Sequence, residues 1–497
     1  MPGLTSSLFV GLSGIQAQQS ALNVVGNNIA NVNTPGYTRE VATLTSNESL
    51  VQGQASFGTG VSLNTVTSIR NKFLDLQIAQ ETAVQAGATD RYAGVSTIAT
   101  SLGDTSSTGL ESEIQSFFQG FQNLAASPES SAVRTSVVGD AQSMINSLQS
   151  NYQMLTQQRN AANQAVGSLV SQVNTLTAQI AQLNQQITAS ASQSPNNNAM
   201  DQRTALTNQL SQLVGINVID GGNGQYQITL DSGSATLVNG NTSFNLQTTP
   251  GGAALDNFSS VQSVMNGTTV DVTGSIKNGQ LGAQLDLRDN IYKGYQSQLD
   301  ELAAGVAGQV NLLNRSGYAA NGVTTGTDFF QSGVANGANG LPTNISAANN
   351  YQGMVNALSV NAAVVADPSL IAAAGVAGAA GDNSNANAMA NLQSAASTVD
   401  TNGDGIGDSG PFSNVVENLV SSVGNQSQNF QSQSTTQQNL VSALQTQRDQ
   451  VSGVSLDEEA THLMSLQTGY QASARFLNVI NQLTAGLITQ FGGTASQ

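Results

Sequence analysis

The chain contains no cysteine and only one histidine, His462. The lack of cysteine excludes disulfides, thiolate zinc sites and cysteine nucleophiles. A single histidine excludes a histidine-rich metal site and the paired histidines of an HExxH metalloprotease helix. We interpret His462 as a residue on the flank of a helix, not as a catalytic base. The protein is therefore expected not to be an enzyme and to have no cofactor apart from the candidate calcium site described below.

Positive charge is also scarce. Among 497 residues there are 13 Lys and Arg against 30 Asp and Glu, which gives a formal net charge of −17. Nucleic acids and anionic membrane surfaces are bound by clustered Lys and Arg, so this balance argues against both as partners. No apolar run reaches the length of a membrane span, and no positive side chain precedes Arg39. We therefore expect no membrane insertion and no cleaved signal peptide.

The two ends of the chain each predict a helix with a narrow apolar stripe of the coiled-coil type. The first helix is predicted from Thr5 to Ala30, with small residues such as Gly11 and Gly14 that permit close approach of a partner helix. Its stripe consists of Leu8, Leu12, Ile15, Leu22 and Ile29. The stripe near the other end includes Leu463, Leu466, Tyr470, Leu477, Ile480 and Leu487. Each apolar stripe must be buried from water by another surface, and we expect the two terminal helices to pack against each other along these stripes.

The middle of the chain carries a longer heptad pattern from Ile145 to Ile187, with β-branched residues at one position and leucine at the other. Arg159 interrupts the first position, and we expect it to be exposed there. From about Gly215 to Gly279 the pattern alternates with period two and contains a Gly-rich hairpin signal, which predicts strands. A second insertion follows in a Gly- and Asn-rich stretch, with strands expected near Val355–Val365.

These patterns predict a mainly α fold with β insertions, organised as nested domains. The terminal coiled-coil domain is expected to comprise residues 1–40 plus 452–497, and the helical bundle residues 41–210 plus 280–320 plus 381–451. Residues 211–279 are expected to form a β-rich insertion, and residues 321–380 a second insertion of uncertain fold.

The stretch "NNIANVNTPGYTRE", residues 27–40, ends the first helix abruptly. Pro35 pushes Thr34 out of the helical region, and Gly36 tolerates a positive φ that turns the chain. Asn33 can satisfy loose backbone groups at the helix end, and Tyr37 adds a large anchor with a polar tip.

The segment "ANVNTPGYTR" and the preceding helix resemble the N-terminal signature of bacterial flagellar rod, hook and hook-associated proteins. The stretch "SGVSLDEEATHLMSLQTGYQASARFLNVINQL" is similar to the matching C-terminal segment of that family. "GQLGAQLDLRDN" and "GDNSNANAMANLQ" resemble the hook-associated members that join hook to filament. The resemblance implies a structural axial protein that assembles through its terminal helices, with Asn33, Pro35, Gly36 and Tyr37 at the assembly interface.

The resemblance also implies partners and a location. They are the hook protein, a second junction protein, further copies of this chain in a ring or tube, and a cytosolic export chaperone at the C-terminal helix. The protein would be exported by the flagellar type III apparatus and act outside the cell. Arg39, Arg448 and Arg475 lie on or beside the assembly segments. Each is a candidate to pair with an acid of a neighbouring subunit, and the alternative is a single exposed arginine that contributes little.

Two alternatives remain open at this point. One is another axial protein, of the hook or distal rod. The other is a secreted calcium-binding or adhesive protein that uses flagellar export tails, because "DTNGDGIGD" matches the first part of an EF-hand loop. Its candidate calcium ligands are Asp400, Asn402, Asp404 and Asp408. Position 12 of that loop is Pro411 and not a bidentate Glu, so the motif is incomplete.

Overall fold

The computed structural model describes residues 2–52, 55–103, 109–190, 195–222, 224–265, 267–331, 337, 341, 351–394 and 412–492. Long helices dominate this part of the chain. They are α1 (Pro2–Ala30), α2 (Lys72–Leu102), α3 (Leu110–Ala126), α4 (Ser131–Ser190), α5 (Asn197–Leu213), α6 (Gly279–Asp286), α7 (Tyr292–Ser316), α8 (Met354–Ala357), α9 (Ala362–Ala366), α10 (Ser384–Asn391), α11 (Phe412–Ser452) and α12 (Leu456–Gly492). A π-helical turn at Leu287–Ile291 connects α6 to α7.

The strands are short and pair in antiparallel fashion. They are β1 (Glu40–Ser46), β2 (Leu50–Gln52), β3 (Ala55–Phe57), β4 (Val61–Ser68), β5 (Ile216–Asp220), β6 (Tyr226–Leu230), β7 (Thr236–Asn239), β8 (Thr242–Ser243), β9 (Leu246–Pro250), β10 (Ser259–Met265), β11 (Thr268–Asp271), β12 (Phe330–Gln331) and β13 (Ser359–Val360). β1 pairs with β4 and β2 with β3 in an excursion directly after α1. The predicted class, mainly α with β insertions and paired terminal helices, is confirmed.

The largest core lies in the helical bundle. Its centre is a group of phenylalanine rings contributed by distant segments, with Phe329 and Phe330 entering beside rings of α3 and the first residue of α11. The fully buried rings are Phe117, Phe118, Phe121, Phe329, Phe330 and Phe412. Side chains from residues 354–373 complete the same core. The second insertion therefore shares its apolar interior with the bundle.

Helix α4 is 60 residues long and extends beyond the predicted heptad segment at its N-terminal end. Its heptad residues Val166, Val173, Ile180 and Ile187 are buried as the pattern requires.

The predicted exposure of Arg159 is wrong, because this residue is 8% exposed. Its guanidinium donates to the Arg288 carbonyl (2.9 Å), to Gln296 Oε1 (2.9 Å) and to Asp256 Oδ2 (2.6 Å), so its charge is compensated in the interior.

The β insertion packs on the C-terminal half of α4. One sheet has the order β5-β6-β7-β8 and the other β11-β10-β9. Gly222 and Gly224 adopt φ of +79° and +78° at the turn between β5 and β6, which confirms the predicted hairpin. A Cβ on Gly224 would lie 2.5 Å from Ile187, so this turn can approach α4 only with glycine there.

In the described part of the chain, every helix falls short of the length or apolar character that a membrane crossing needs.

Candidate assembly surface

The terminal helices α1 and α12 pack against each other, as predicted, and the structure shows that they run antiparallel. Small residues of α1 make the contact close. A Cβ added to Gly11 would lie 3.1 Å from Phe476 and 3.3 Å from Leu477, and one added to Gly14 would lie 3.1 Å from Ser473. Nearer the other end of α1, Asn28 meets Glu459. The backbones therefore approach more closely than large side chains would permit.

The predicted apolar stripe of α1 lies beside this buried seam. The fully buried residues of the helix are Gly11, Ala17, Ala21, Val25 and Asn28. The stripe residues Leu8, Ile15, Leu22 and Ile29 are half-buried, and Leu12 is 40% exposed. Most of the large aliphatic side chains of α1 are thus only partly covered by the rest of the chain.

The predicted stripe of α12 is covered more completely in its second half. Ile480 is buried, and Tyr470 is exposed. The half-buried members are Leu463, Leu466, Leu477 and Leu487.

A second apolar face of α12 was not predicted. Phe476, Val479 and Leu483 follow a 3-4 spacing, and each is more than two-fifths exposed. Phe9 of α1 adds to the exposed apolar surface of the helix pair. The 3-4 spacing was visible in the sequence and could have revealed this face, but it lies beside the stronger heptad stripe. Its exposure makes it a candidate contact surface.

The loop after α1 forms a joint between the terminal pair and the bundle. Helix α1 ends at Ala30, and Gly36 adopts a φ of +81°. Asn33, Pro35 and Gly36 are exposed, whereas Tyr37 is half-buried. The Tyr37 hydroxyl donates to Asn28 Oδ1 over 2.9 Å, and burial raises the pKa of this phenol above its usual range. Tyr37 is therefore a neutral anchor for the turn.

Asn28 and Arg39 join the N-terminal segment to the start of α12. The Asn28 amide donates to the Glu40 carbonyl (2.8 Å) and to Glu459 Oε2 (3.2 Å), and Asn28 Oδ1 accepts from the Glu40 N–H (2.9 Å). Arg39 forms ion pairs with Glu458 and, at 2.9 Å, with Glu459. The acids at the start of α12 thus interact favourably with the positive end of the helix dipole and also form the contacts of the joint.

The joint continues into the bundle through a second set of polar contacts. Thr38 Oγ1 donates to Asp201 of α5 over 2.6 Å, and Arg70 pairs with the same carboxylate at 2.5 Å. Arg448 of α11 donates to the Gly36 carbonyl (3.1 Å) and lies 3.6 Å from Asp75 of α2. Arg39 and Arg448 therefore find acids within their own chain, contrary to the expectation that neighbouring subunits supply them. Arg475 is exposed on α12.

The candidate calcium ligands Asp400, Asn402, Asp404 and Asp408 lie outside the described residues. Within the described residues, no group of three or more His, Asp and Glu side chains is placed to hold a metal ion. His462 lies exposed on α12.

Comparisons with known proteins match three segments of the chain. Residues 95–330 match the family described as "Flagellar hook-associated protein FlgK helical domain". Residues 8–38, which contain most of α1 and the joint loop, match "Flagella basal body rod protein". Residues 445–489, which contain most of α12, match "Flagellar basal body rod FlgEFG protein C-terminal".

Curated relatives extend the likeness to the whole chain. The flagellar hook-associated protein 1 of Escherichia coli (strain K12) is 29% identical over 96% of this chain and 98% of its own length. The protein of the same name from Bacillus subtilis (strain 168) is 28% identical over 98% of this chain and 99% of its own. The chain is thus similar along almost its whole length to proteins named flagellar hook-associated protein 1. The two terminal family matches coincide with the two helices that pack together.

A solved structure shares the fold of this chain. The flagellar hook junction protein FlgK from Burkholderia pseudomallei superposes with a TM-score of 0.63, at 18% identity. The likeness covers 76% of this chain and all of that one. At this identity, the comparison concerns the fold alone.

Proposed function

We propose that this protein is a structural component of the bacterial flagellum at the junction between hook and filament, and that it assembles through the α1–α12 pair. Likeness to hook-associated protein 1 over almost the whole chain supports this location and export from the cell. The exposed apolar face of the terminal pair supports the mechanism, because a water-soluble chain gains free energy by covering such a face with another subunit.

The length of these helices also supports assembly through the terminal pair. Helix α12 has 37 residues, and among the described residues its last charged side chain is Arg475. Two helices alone bury only one seam of each, so their outer faces need neighbours. The contacts between copies would use the large apolar side chains of both helices together with the exposed joint loop. These residues are Leu8, Leu12, Ile15, Leu22, Ile29, Asn33, Pro35, Gly36, Tyr37, Leu463, Leu466, Tyr470, Leu477, Ile480 and Leu487.

A protein at the hook–filament junction would have a different partner at each end of its assembly. The hook protein would contact one side of the ring and a second junction protein the other, while copies of this chain contact one another laterally. Before export, a cytosolic chaperone would cover the apolar face of α12. The terminal segments 1–40 and 452–497 would form the assembly domain, with the bundle and the insertion 211–279 outside it. The described residues 354–373 of the second insertion pack into the bundle core. The role is one of packing and not of catalysis.

Electron microscopy of a deletion strain tests the location. Loss of this chain is expected to leave hooks intact and filaments absent. Absent hooks would instead indicate a hook or distal-rod protein, and normal filaments would indicate a protein secreted by the flagellar route that is not part of the axis.

Complementation of that strain tests the mechanism. Leu477→Asp or Ile480→Asp places a carboxylate in the seam of the terminal pair and is expected to abolish filament formation. Val270→Asp in β11 is the matched control, since Val270 is an exposed apolar residue of the outer insertion, and it is expected to restore filaments. Filaments in all three strains would refute assembly through the terminal helices.

A further inference from the structure

The strands that follow α1 form a long hairpin that runs back along that helix. At its base, the Glu40 N–H donates to Asn28 near the end of α1. At the far end of the β1–β4 ladder, the Val61 N–H donates to Ser13 Oγ over 3.2 Å. Gly60 is so close to α1 that a Cβ there would lie 3.1 Å from the Ser13 Cβ. The hairpin therefore reaches the N-terminal half of α1 with its base fixed at the joint.

Beyond this contact, the tip of the hairpin exposes large apolar side chains. The tip consists of β2 and β3, in which Leu50 lies directly opposite Phe57. Leu50 is 55% exposed, Val51 70% and Phe57 52%. Two three-residue strands bury little apolar surface by themselves, so a hairpin tip of this kind is stable in water only when other residues pack against it. The described part of the chain thus leaves each of these three side chains more than half exposed.

The exposed face of α12 lies at the same end of the terminal pair. Phe476 packs opposite Gly11, two residues along α1 from the point that the hairpin reaches. Val479 and Leu483 continue the face toward the C-terminus of α12, and both remain more than half exposed. The chain thus presents two different exposed apolar surfaces, the hairpin tip and the α12 face, toward the same end of the terminal pair.

Charge distinguishes these two surfaces from the rest of the molecule. Residues 41–69 contain a single charged side chain, Glu48, and α12 contains none after Arg475. With a net charge of −17, copies of this chain repel one another over most of their surface. A contact between the tip and the α12 face brings almost no carboxylates together. A second copy of this chain therefore suits both surfaces, whereas a strongly charged partner gains nothing from either.

We propose that the hairpin tip of one copy packs on the Phe476–Leu483 face of α12 in the neighbouring copy. The inference rests on the proposed assembly through the terminal pair and names a second element of that interface. The contact is heterologous, since each copy gives its tip to one neighbour and accepts a tip from the other. Such contacts build rings or open helical arrays and do not stop at dimers.

Site-directed cross-linking tests this contact directly, because the chain has no cysteine of its own. Cells of the deletion strain would produce two chains, Val51→Cys with an epitope tag and Leu483→Cys without one. Isolated flagella would be oxidised with copper phenanthroline and resolved by non-reducing electrophoresis. We expect a covalent dimer that contains one tagged and one untagged chain. Ser56→Cys, opposite Val51 in the ladder, replaces Val51→Cys if that variant does not assemble.

Controls separate this inference from the proposed function. Val270→Cys paired with Leu483→Cys is expected to give at least tenfold less dimer. In parallel, Val51→Asp combined with Phe57→Asp is expected to reduce incorporation into flagella at least tenfold. Normal incorporation of this double variant without the dimer, while Leu477→Asp still blocks assembly, would overturn the tip contact and leave the proposed function intact. Normal assembly with Leu477→Asp would overturn the proposed function. A disulfide formed within one chain carrying both cysteines, in dilute solution, would also overturn the contact between copies.

Discussion

The side-chain amide of Asn28 donates a 3.2 Å hydrogen bond to the carboxylate of Glu459, although the two residues are 431 positions apart. Asn28 is 1% exposed and uses both its amide and its carbonyl oxygen in the joint. Asn28 is therefore a fully engaged polar side chain at the centre of the contacts between the N-terminal segment and α12.

Replacement of Asn28 by Asp is expected to loosen the joint. An ionised Asp cannot donate to the Glu40 carbonyl or to Glu459, and it adds a carboxylate beside one already there. The nearby Arg39 peptide bond should become more accessible, and we expect trypsin to cleave after Arg39 at least about tenfold faster, which corresponds to about 1.4 kcal/mol of local stability. Mass spectrometry of timed digests of the full chain measures this rate. Asn33→Asp makes the same charge change at an exposed position of the same loop and is expected to leave the rate unchanged. Equal rates for the two variants would contradict the role of Asn28.

The close approach of the terminal helices predicts an effect of enlarging Gly11. Leucine is a better helix former than glycine by nearly 1 kcal/mol, so α1 by itself should become more stable in Gly11→Leu. The new side chain would nevertheless meet Phe476 and Leu477 and separate the helices. We expect faster tryptic cleavage after Arg475, which adjoins Phe476. Gly26→Leu is the matched control, because a Cβ at Gly26 has no neighbouring atom within 4 Å. Slower cleavage in Gly11→Leu would show that propensity outweighs packing.

The terminal helices illustrate how far the sequence could be interpreted. Period and composition identified both helices and their pairing, because one-sided burial leaves a stripe that repeats along the chain. The stripe did not reveal which side of α1 meets α12 first. Gly11 and Ala21 contribute little hydrophobicity to the pattern, yet their small size permits the closest approach. Large residues such as Leu22 identify an apolar face of the helix, but they do not show which other helix or subunit packs against it.

Arg159 illustrates the opposite limit. A charged residue at a heptad position indicates exposure if only its neighbours in sequence are considered. Its acidic partner Asp256 lies in the β insertion, 97 positions away, and no local pattern connects the two. The entry of Phe329 and Phe330 into the bundle core was missed for a similar reason, because the surrounding Gly- and Asn-rich segment has no periodicity that marks them as interior.

This burial predicts that an apolar residue at the heptad position of Arg159 is destabilising. Leucine would suit the helix pattern, but among the described residues it would leave Asp256 paired with Lys293 alone. It would also remove a donor from Gln296 and from the Arg288 carbonyl. We expect Arg159→Leu to lower the free energy of unfolding by about 2–4 kcal/mol. Urea titration followed by circular dichroism measures the change. Gln157→Leu adds the same side chain at an exposed position of α4 and is expected to change stability by less than about 0.5 kcal/mol. A small effect at both positions would show that the buried cation is dispensable.

Asp300 of α7 predicts a pH dependence with a defined sign. Its carboxylate accepts the Gly353 N–H (3.0 Å) and the Val355 N–H (2.9 Å), yet burial raises its pKa to about 6. Because the folded pKa lies above the unfolded value of 3.8, the stabilising contribution is fully present below pH 3.8 and is lost as pH rises to about 6. The lost contribution is about 3 kcal/mol, since each unit of pKa is worth about 1.4 kcal/mol.

The Asp300→Asn variant isolates this contribution from that of the other carboxylates. The free energy of unfolding of the variant, relative to the parent chain, is expected to rise by about 2–3 kcal/mol between pH 4 and pH 7, because asparagine does not ionise. Urea titrations at half-unit pH intervals measure the difference. Asp382→Asn provides a control of opposite sign, since hydrogen bonds led by that from Ser384 lower the pKa of the exposed Asp382 carboxyl. Its variant should lose stability relative to the parent as pH rises toward the unfolded value of 3.8, and the difference should change little between pH 4 and pH 7. A difference between Asp300→Asn and the parent that stays constant across this range would contradict a raised pKa at Asp300.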